Sequence, residues 1–390
     1  MKMEKTLGKR PELRDLRKAF HILTEDAETK ARRGFLQTLH GEVESPCFMP
    51  CGTQGTVKAL SSEELESVGA QIVLANAYHL YLRPGEEVFE TIGTLHDFMN
   101  WRGAILTDSG GFQIFSLAPL RKITHEGLCF QSHIDGSKQF LTPERIVQFQ
   151  MLLGSDIVMV LDECVGYPSE KKEVEEAMNR TLEWAERSKK EFHARQTSPG
   201  QLLFGIVQGG IYTDLRKENC ERLMAVDFDG YAIGGMGVGE PKELLKEIVP
   251  VCTEGLASDK PRYLMGIGTP EDILEGIASG VDFFDCVLPT RNGRNGQAFT
   301  SYGTLNLKNA TYAKDPAPIE EGCSCPACGG YSRAYVHHLL KAKEILGSKL
   351  VTLHNISFYL RLMKESREAI QKQQFGIFKE RTIQRLRSAS

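Results

Sequence analysis

The chain has 390 residues, of which 41% are hydrophobic and 25% charged, with a formal net charge of −4. That balance excludes a disordered chain, and no stretch approaches the about 18 uninterrupted apolar residues that a membrane-spanning helix needs. The opening MKMEKTLGKRPELRDLRKAFHI is basic but has no apolar core of signal-peptide length, which predicts a cytosolic protein whose ten cysteines stay reduced.

In chain order, residues 1–44 read as an N-terminal extension with the first strands. Eight short apolar runs follow, each ending abruptly in polar or glycine-rich sequence: CFMP at Pro50, IVLAN at Asn76, AILTD at Asp108, DIVMVLDE at Asp162, LLFGIVQGG at Gln208, YAIGG at Gly235, RYLMG at Gly266 and VDFFDC at Asp285. Such runs predict strands buried on both faces. Between them lie amphipathic segments such as TPERIVQFQMLL, TDLRKENCERLMAV and TPEDILEGIAS, most opened by Ser, Thr or Pro suited to a first helical turn. Strand alternating with helix over residues 45–294 predicts a (β/α)8 TIM barrel, with a doubly wound parallel sheet as the rival arrangement. In such a barrel the C-terminal strand ends carry the chemistry, and here they form a polar ring of Asn76, Asp108, Asp162, Gln208, Gly235 and Asp285.

Two segments break the rhythm. ITHEGLCFQSHIDGSKQFL alternates around Asp135–Gly136 and predicts a hairpin, and GQAFTSYGTLNLKNATY predicts a second antiparallel pair. Residues 295–355 are therefore expected to form an inserted subdomain, and 356–390 a helical tail that completes the barrel.

Within that subdomain Cys323, Cys325 and Cys328 fall on one tight loop, and His354 follows. A Cys3His set closes a tetrahedral zinc site and predicts one structural Zn2+ per chain, although spacing alone does not separate His354 from His337 or His338. Charge is also unevenly placed. From Val287 onward 16 Lys and Arg face 7 Asp and Glu, against 31 and 44 before it, a distribution suited to a polyanion held at one end.

Asp108 begins DSGGFQIF, where glycines permit close approach of a planar ligand and Phe112 offers a stacking face. Asp162 lies in LDEC, and Asp285 in FDCVLPTRNGRNG with Arg291 and Arg294 just beyond. Three carboxylates at one barrel mouth repel one another unless substrate or hydrogen bonds compensate.

Taken together, DSGGFQIF, LDEC, GIVQGG, YAIGGMGVGE, RYLMGIGTPED, FDCVLPTRNGRNG and CSCPAC with its distant histidine resemble the bacterial tRNA-guanine transglycosylases, the queuine tRNA-ribosyltransferases. The resemblance runs from about Ser45 to Arg361. It implies a barrel with a zinc subdomain that exchanges the wobble guanine of GUN-anticodon tRNAs for a 7-deazaguanine, preQ1 or queuine, by double displacement. By the same resemblance Asp285 is the nucleophile and Asp108 the general acid/base. Base contacts fall to Asn76, Asp108, Ser109, Gly110, Gly111, Phe112, Asp162, Gln208, Gly235, Met236 and Met265. The anticodon loop falls to Gly266, Ile267, Gly268, Thr269, Pro270, Glu271 and Asp272, and to Thr290, Arg291, Asn292, Gly293 and Arg294. The family forms homodimers, which places Tyr331, Tyr335 and His338 at the contact.

This chain departs from the family pattern at Ala77, where Thr is usual, and at Met236–Gly237, where Leu-Ala or Leu-Ser is usual. Gly237 enlarges the pocket near the 7-substituent, while Cys164 and Val238 match the preQ1-using bacterial type. Two rival functions stay open at this point: a non-catalytic tRNA-binding partner subunit, and a barrel glycosidase, which would account for paired carboxylates but not for the cysteine loop or the basic end.

Overall fold

The computed structural model describes residues 19–117, 121–195 and 200–388; the N-terminal stretch read above for a signal segment lies largely outside them, at 1–18. Strands β1 (Phe20–Glu25), β2 (Arg32–Thr38) and β3 (Gly41–Ser45) make a small antiparallel sheet. The barrel begins immediately afterwards with β4 (Cys47–Pro50), β5 (Ile72–Asn76) and β6 (Ala104–Asp108).

An excursion then leaves the barrel as β7 (Arg121–Ile123), β8 (Leu128–Gln131) and β9 (Lys138–Leu141). The β8–β9 hairpin turns at Asp135–Gly136 as predicted, with Gly136 at φ +74°. Its third strand, β7, has three residues and no legible alternation.

The chain rejoins the barrel with β10 (Ile157–Met159), β11 (Leu202–Val207), β12 (Gly230–Ile233), β13 (Arg262–Leu264) and β14 (Phe283–Cys286). The eight parallel strands run in the order β4-β14-β13-β12-β11-β10-β6-β5, and a parallel bridge between Cys51 and Leu74 joins the outer two into a ring. All eight predicted runs are barrel strands, and the doubly wound alternative is excluded. Every residue of β5, β6, β10 and β11 is buried, as parallel strands covered by helices require. The covering helices start where the sequence places caps: Ser61 with Glu64 forms a capping box, and Thr142 and Thr269 each cap a helix whose first residue is proline.

Several runs stop pairing before their last residue. Regular pairing of β10 ends at Met159, so Asp162 stands on the segment that rises above the sheet, and Gln208 and Gly235 likewise follow the ends of β11 and β12. Asp162 and the Gly235 backbone thereby line the cavity at the barrel mouth, while Gln208 is buried against Asp162 and does not line it.

Beyond β14 and the helix Leu288–Arg294, β15 (Gln297–Thr300) and β16 (Gly303–Asn306) pair antiparallel and open a subdomain with its own small core, which includes Leu307, Ile319, Val336, Leu340 and Val351. The helix Ile345–Gln371 passes without a break from this core to the barrel core, where Ile356, Tyr359 and Leu362 are buried. The division expected at residue 355 falls inside this one continuous helix, which has no proline and a single glycine in its first turn. A last helix, Phe375–Arg387, packs near Pro270–Ala278, with Lys379 Nζ donating to Glu275 over 2.9 Å.

Candidate active site and metal-ligating group

The C-terminal ends of the barrel strands enclose a cavity of about 420 Å³ whose wall includes Asn76, Asp108, Phe112, Asp162, Gly235, Met236, Met265, Asp285 and Arg291. Parallel register sets its first pair. Asn76 and Asp108 stand opposite each other at the ends of β5 and β6, and the Asn76 amide donates to Asp108 Oδ2 over 2.6 Å. The turn that follows needs its glycines: Gly110 has φ +96°, a Cβ on it would collide with the Tyr78 side chain, and a Cβ on Gly111 would collide with the Asp162 carbonyl. Ser109 is buried there with no partner for its hydroxyl among the described residues, and Phe112 is 43% exposed on the cavity wall.

Asp285, on β14, is held from neighbouring elements. The Tyr263 hydroxyl and the Gly266 N–H both donate to Oδ1 at 2.6 Å, and the Cys51 thiol donates to Oδ2 at 3.4 Å. Asp162 Oδ2 accepts from the Gln208 amide at 2.7 Å, while Gly235, at φ +64°, brings its backbone against Gln208 so closely that a Cβ would strike the Gln208 carboxamide oxygen. Gln208 thus spends one amide hydrogen on Asp162.

Burial dominates the electrostatics. It raises Asp108 to about 8, with the nearby Asp162 and Asp285 carboxylates adding to the rise, and raises Asp162 to about 6 against the opposing Gln208 hydrogen bond. Asp285 is raised by burial and pulled back by its bonds from Tyr263, Gly266 and Cys51. At neutral pH the cavity holds a protonated Asp108 beside a well-bonded Asp285.

Of the residues expected at an anticodon loop, Gly266, Ile267, Gly268, Thr269, Asp272 and Arg291 line the same cavity. Gly268 packs on Cys286 and its carbonyl accepts from Tyr359 at 2.6 Å, Thr269 caps the helix that Pro270 and Glu271 open, and Gly266 is used on Asp285. In the helix Leu288–Arg294, Thr290 is buried, Gly293 lies against Thr352, and Asn292 donates to Gln297 at 2.8 Å. Arg294 is half-buried beside Arg291, with one guanidinium nitrogen unpartnered among the described residues.

About the helix Ile345–Gln371, the Sγ atoms of Cys323, Cys325 and Cys328 lie 3.8, 3.7 and 3.3 Å from His354 Nδ1. His354 Nε2 is 2.7 Å from the Phe299 carbonyl, which can only accept; the proton is therefore on Nε2, and Nδ1 turns a lone pair toward the three thiols. This group could hold a metal ion. Among the described residues His354, and neither His337 nor His338, brings a ring nitrogen to the three thiols, while His337 Nδ1 is bonded to the Leu307 carbonyl.

Residues 26–388 match the sequence model of the family described as queuine tRNA-ribosyltransferase. The chain belongs to that family. It is 56% identical over 366 residues to a queuine tRNA-ribosyltransferase of Caldanaerobacter subterraneus subsp. tengcongensis, covering 94% of this chain and 97% of the relative. It is 55% identical to one of Thermoanaerobacter sp. (strain X514), covering 92% and 95%, and 52% identical to one of Desulforamulus reducens, covering 92% and 96%.

Three residues of this family member's site carried no sequence signal of their role. Tyr263 reads as one more strand residue, and Cys51 as one of several scattered cysteines. Arg216 reads as a surface charge on an amphipathic helix, yet it is buried, and its guanidinium donates to the carbonyls of Gly210, Val207 and Gly234 at 2.8, 3.1 and 2.7 Å. It thereby supports the turn that presents Gly235.

Proposed function

We propose that this transglycosylase exchanges the wobble guanine, position 34, of GUN-anticodon tRNAs (Asp, Asn, His, Tyr) for preQ1 by double displacement through a covalent ribosyl-enzyme intermediate. The observation that carries this reading is the unequal setting of two carboxylates in one cavity: Asp108 bonded from Asn76, with burial and the neighbouring carboxylates favouring its protonated form, and Asp285 fixed by two short hydrogen bonds on one oxygen. Asp285 attacks the anomeric carbon while Asp108 gives its proton to the departing guanine; the incoming base then loses a proton to Asp108 and displaces Asp285. Two inversions at one carbon give net retention.

The base is read by Asp162, which accepts from the ring N–H and exocyclic amine, and by Gln208 and the Gly235 N–H, which donate to the carbonyl oxygen, between Phe112 and Met265. The anticodon loop lies along Gly266–Asp272 and residues Thr290–Arg294 of the Leu288–Arg294 helix, whose charged side chain on the cavity wall is Arg291. Soft thiolates and one imidazole suit Zn2+, so Cys323, Cys325, Cys328 and His354 hold one structural zinc, which ties the cysteine loop to the helix Ile345–Gln371 and takes no part in chemistry. A second copy packs on the face carrying Tyr331, Tyr335 and His338; the two tyrosines are 37% and 41% exposed and stack on each other. Reduced thiols suit the cytosol, and no described helix is long and apolar enough to cross a membrane.

Queuine is the second reading for the base. At Gly237 a Cβ would meet, among the described residues, Ile267 Cδ1 at 3.1 Å; in this reading the glycine leaves room for the 7-substituent. Incubation with labelled guanine and unmodified tRNA tests the proposal: incorporation that preQ1 then chases supports it, whereas tight tRNA binding without incorporation identifies a non-catalytic partner subunit.

A further inference from the structure

The two oxygens of Asp285 are held unequally. Oδ1 accepts from Tyr263 and from Gly266, each at 2.6 Å, while among the described residues Oδ2 accepts from the Cys51 thiol at 3.4 Å. The fold dictates this arrangement. In the β4–β14 pair Asp285 is opposite Met49 and Cys286 opposite Pro50, and Cys51 is the next residue, pinned by its bridge to Leu74. Its side chain is buried on the cavity wall. Burial, and then the neighbouring Asp285 carboxylate, push the thiol well above its ordinary range, so sulfur keeps its proton and serves as a weak donor rather than a nucleophile.

We infer that Cys51 is a positioning residue for Asp285 and that Oδ2 is the oxygen that attacks, an inference that rests on Asp285 being the nucleophile. As Oδ2 bonds to C1′ of nucleotide 34, the C1′–N bond to guanine breaks, the electron pair leaves with the base, and the base takes the Asp108 proton. Oδ1 becomes the carbonyl oxygen of the ester and keeps both strong donors. Oδ2 becomes the ester oxygen, a poor acceptor, and a weak S–H contact is the kind easily given up at that moment. Until then the thiol orients Oδ2 and favours its ionised form.

The groups around Asp285 are Tyr263 and Gly266 N–H from β13 and its loop, Asp108 from β6, Cys51 after β4, Cys286 on the same strand, and Arg291 on the following helix. Replacing Cys51 changes one donor in that set. Cys51→Ala and Cys51→Val both remove it, and valine keeps the bulk. In each, the acid limb of kcat/KM, which reports the free enzyme, is expected at higher pH, with a loss of about threefold below the limb and tRNA affinity unchanged. A Cys51→Val protein with the wild-type limb overturns the inference, as does a shift confined to Cys51→Ala, which would mark a packing role. A denaturation-resistant tRNA adduct on Asp285→Asn would instead overturn the underlying assignment of Asp285.

Discussion

Asn76 and Asp108 close neighbouring barrel strands in direct register, and the 2.6 Å bond between them fixes the orientation of the proposed acid/base. Asn76 also accepts from His79 N–H at 3.3 Å and so caps the helix Ala77–Leu82. Asn76→Asp keeps the cap but replaces the donor with a second carboxylate. Exchange is expected to fall by about a hundredfold at neutral pH with tRNA affinity unchanged, because only proton transfer is misplaced. Steady-state kinetics beside filter binding read the two effects separately.

Asp108 has a folded-state value of about 8 against an ordinary 3.8. The folded protein therefore holds a proton that the unfolded chain has released between those values, and this group's contribution to stability declines as pH rises from about 4 to 8. Asp108→Asn should abolish exchange yet be more stable than the parent at pH 8, by on the order of a few kcal/mol, with no gain below pH 4. Urea unfolding at the two pH values measures it. The parent's first displacement should also weaken as pH rises through about 8, where Asp108 loses its proton.

The barrel was legible because each of its strands is a continuous apolar run that stops abruptly at polar or glycine-rich sequence, and the helices announce themselves by caps such as Thr142–Pro143 and Thr269–Pro270. The site was legible where a residue type is unusual in its setting, as with Asp108, Asp285 and the cysteine loop. It was not legible where a partner comes from a distant strand. Tyr263 finds Asp285 through the β13–β14 pair, and Cys51 finds it through β4–β14, contacts that depend on strand order. The Ile345–Gln371 helix joins two cores without a composition change, so no boundary shows within it.

Metal content tests the proposed ligand set of Cys323, Cys325, Cys328 and His354. Elemental analysis of purified protein is expected to give one zinc per chain. Cys325→Ala should lose it and be destabilised by on the order of 3 kcal/mol or more, since binding and folding are linked in such sites. A Cys325→Ala protein with full metal content would contradict this.

Arg291 is the cationic side chain of the Leu288–Arg294 helix that faces the cavity. Arg291→Ala should weaken tRNA binding by about tenfold and flatten its salt dependence by about one unit of log–log slope if it contacts a phosphate. Affinity titrations at several salt concentrations distinguish this from a base contact, which would relax anticodon choice and leave the slope unchanged.

Gly237 has φ +73°, and a Cβ there would sit 3.1 Å from Ile267 Cδ1. Gly237→Ala is therefore both strained and tight, and it should lose any use of queuine while retaining preQ1. Competition of each base against labelled guanine decides it; strong preference of the parent for queuine would reverse the base assignment.

The central claim is covalent catalysis by Asp285, and trapping tests it most directly. The enzyme is incubated with a GUN-anticodon tRNA in the absence of added base, denatured, and resolved by mass. The account predicts an enzyme–tRNA adduct in the parent protein that a 7-deazaguanine base dissolves before denaturation, and no adduct in Asp285→Ala or Asp285→Asn. An adduct of undiminished yield in either variant would contradict it and transfer the nucleophile's role to Asp108.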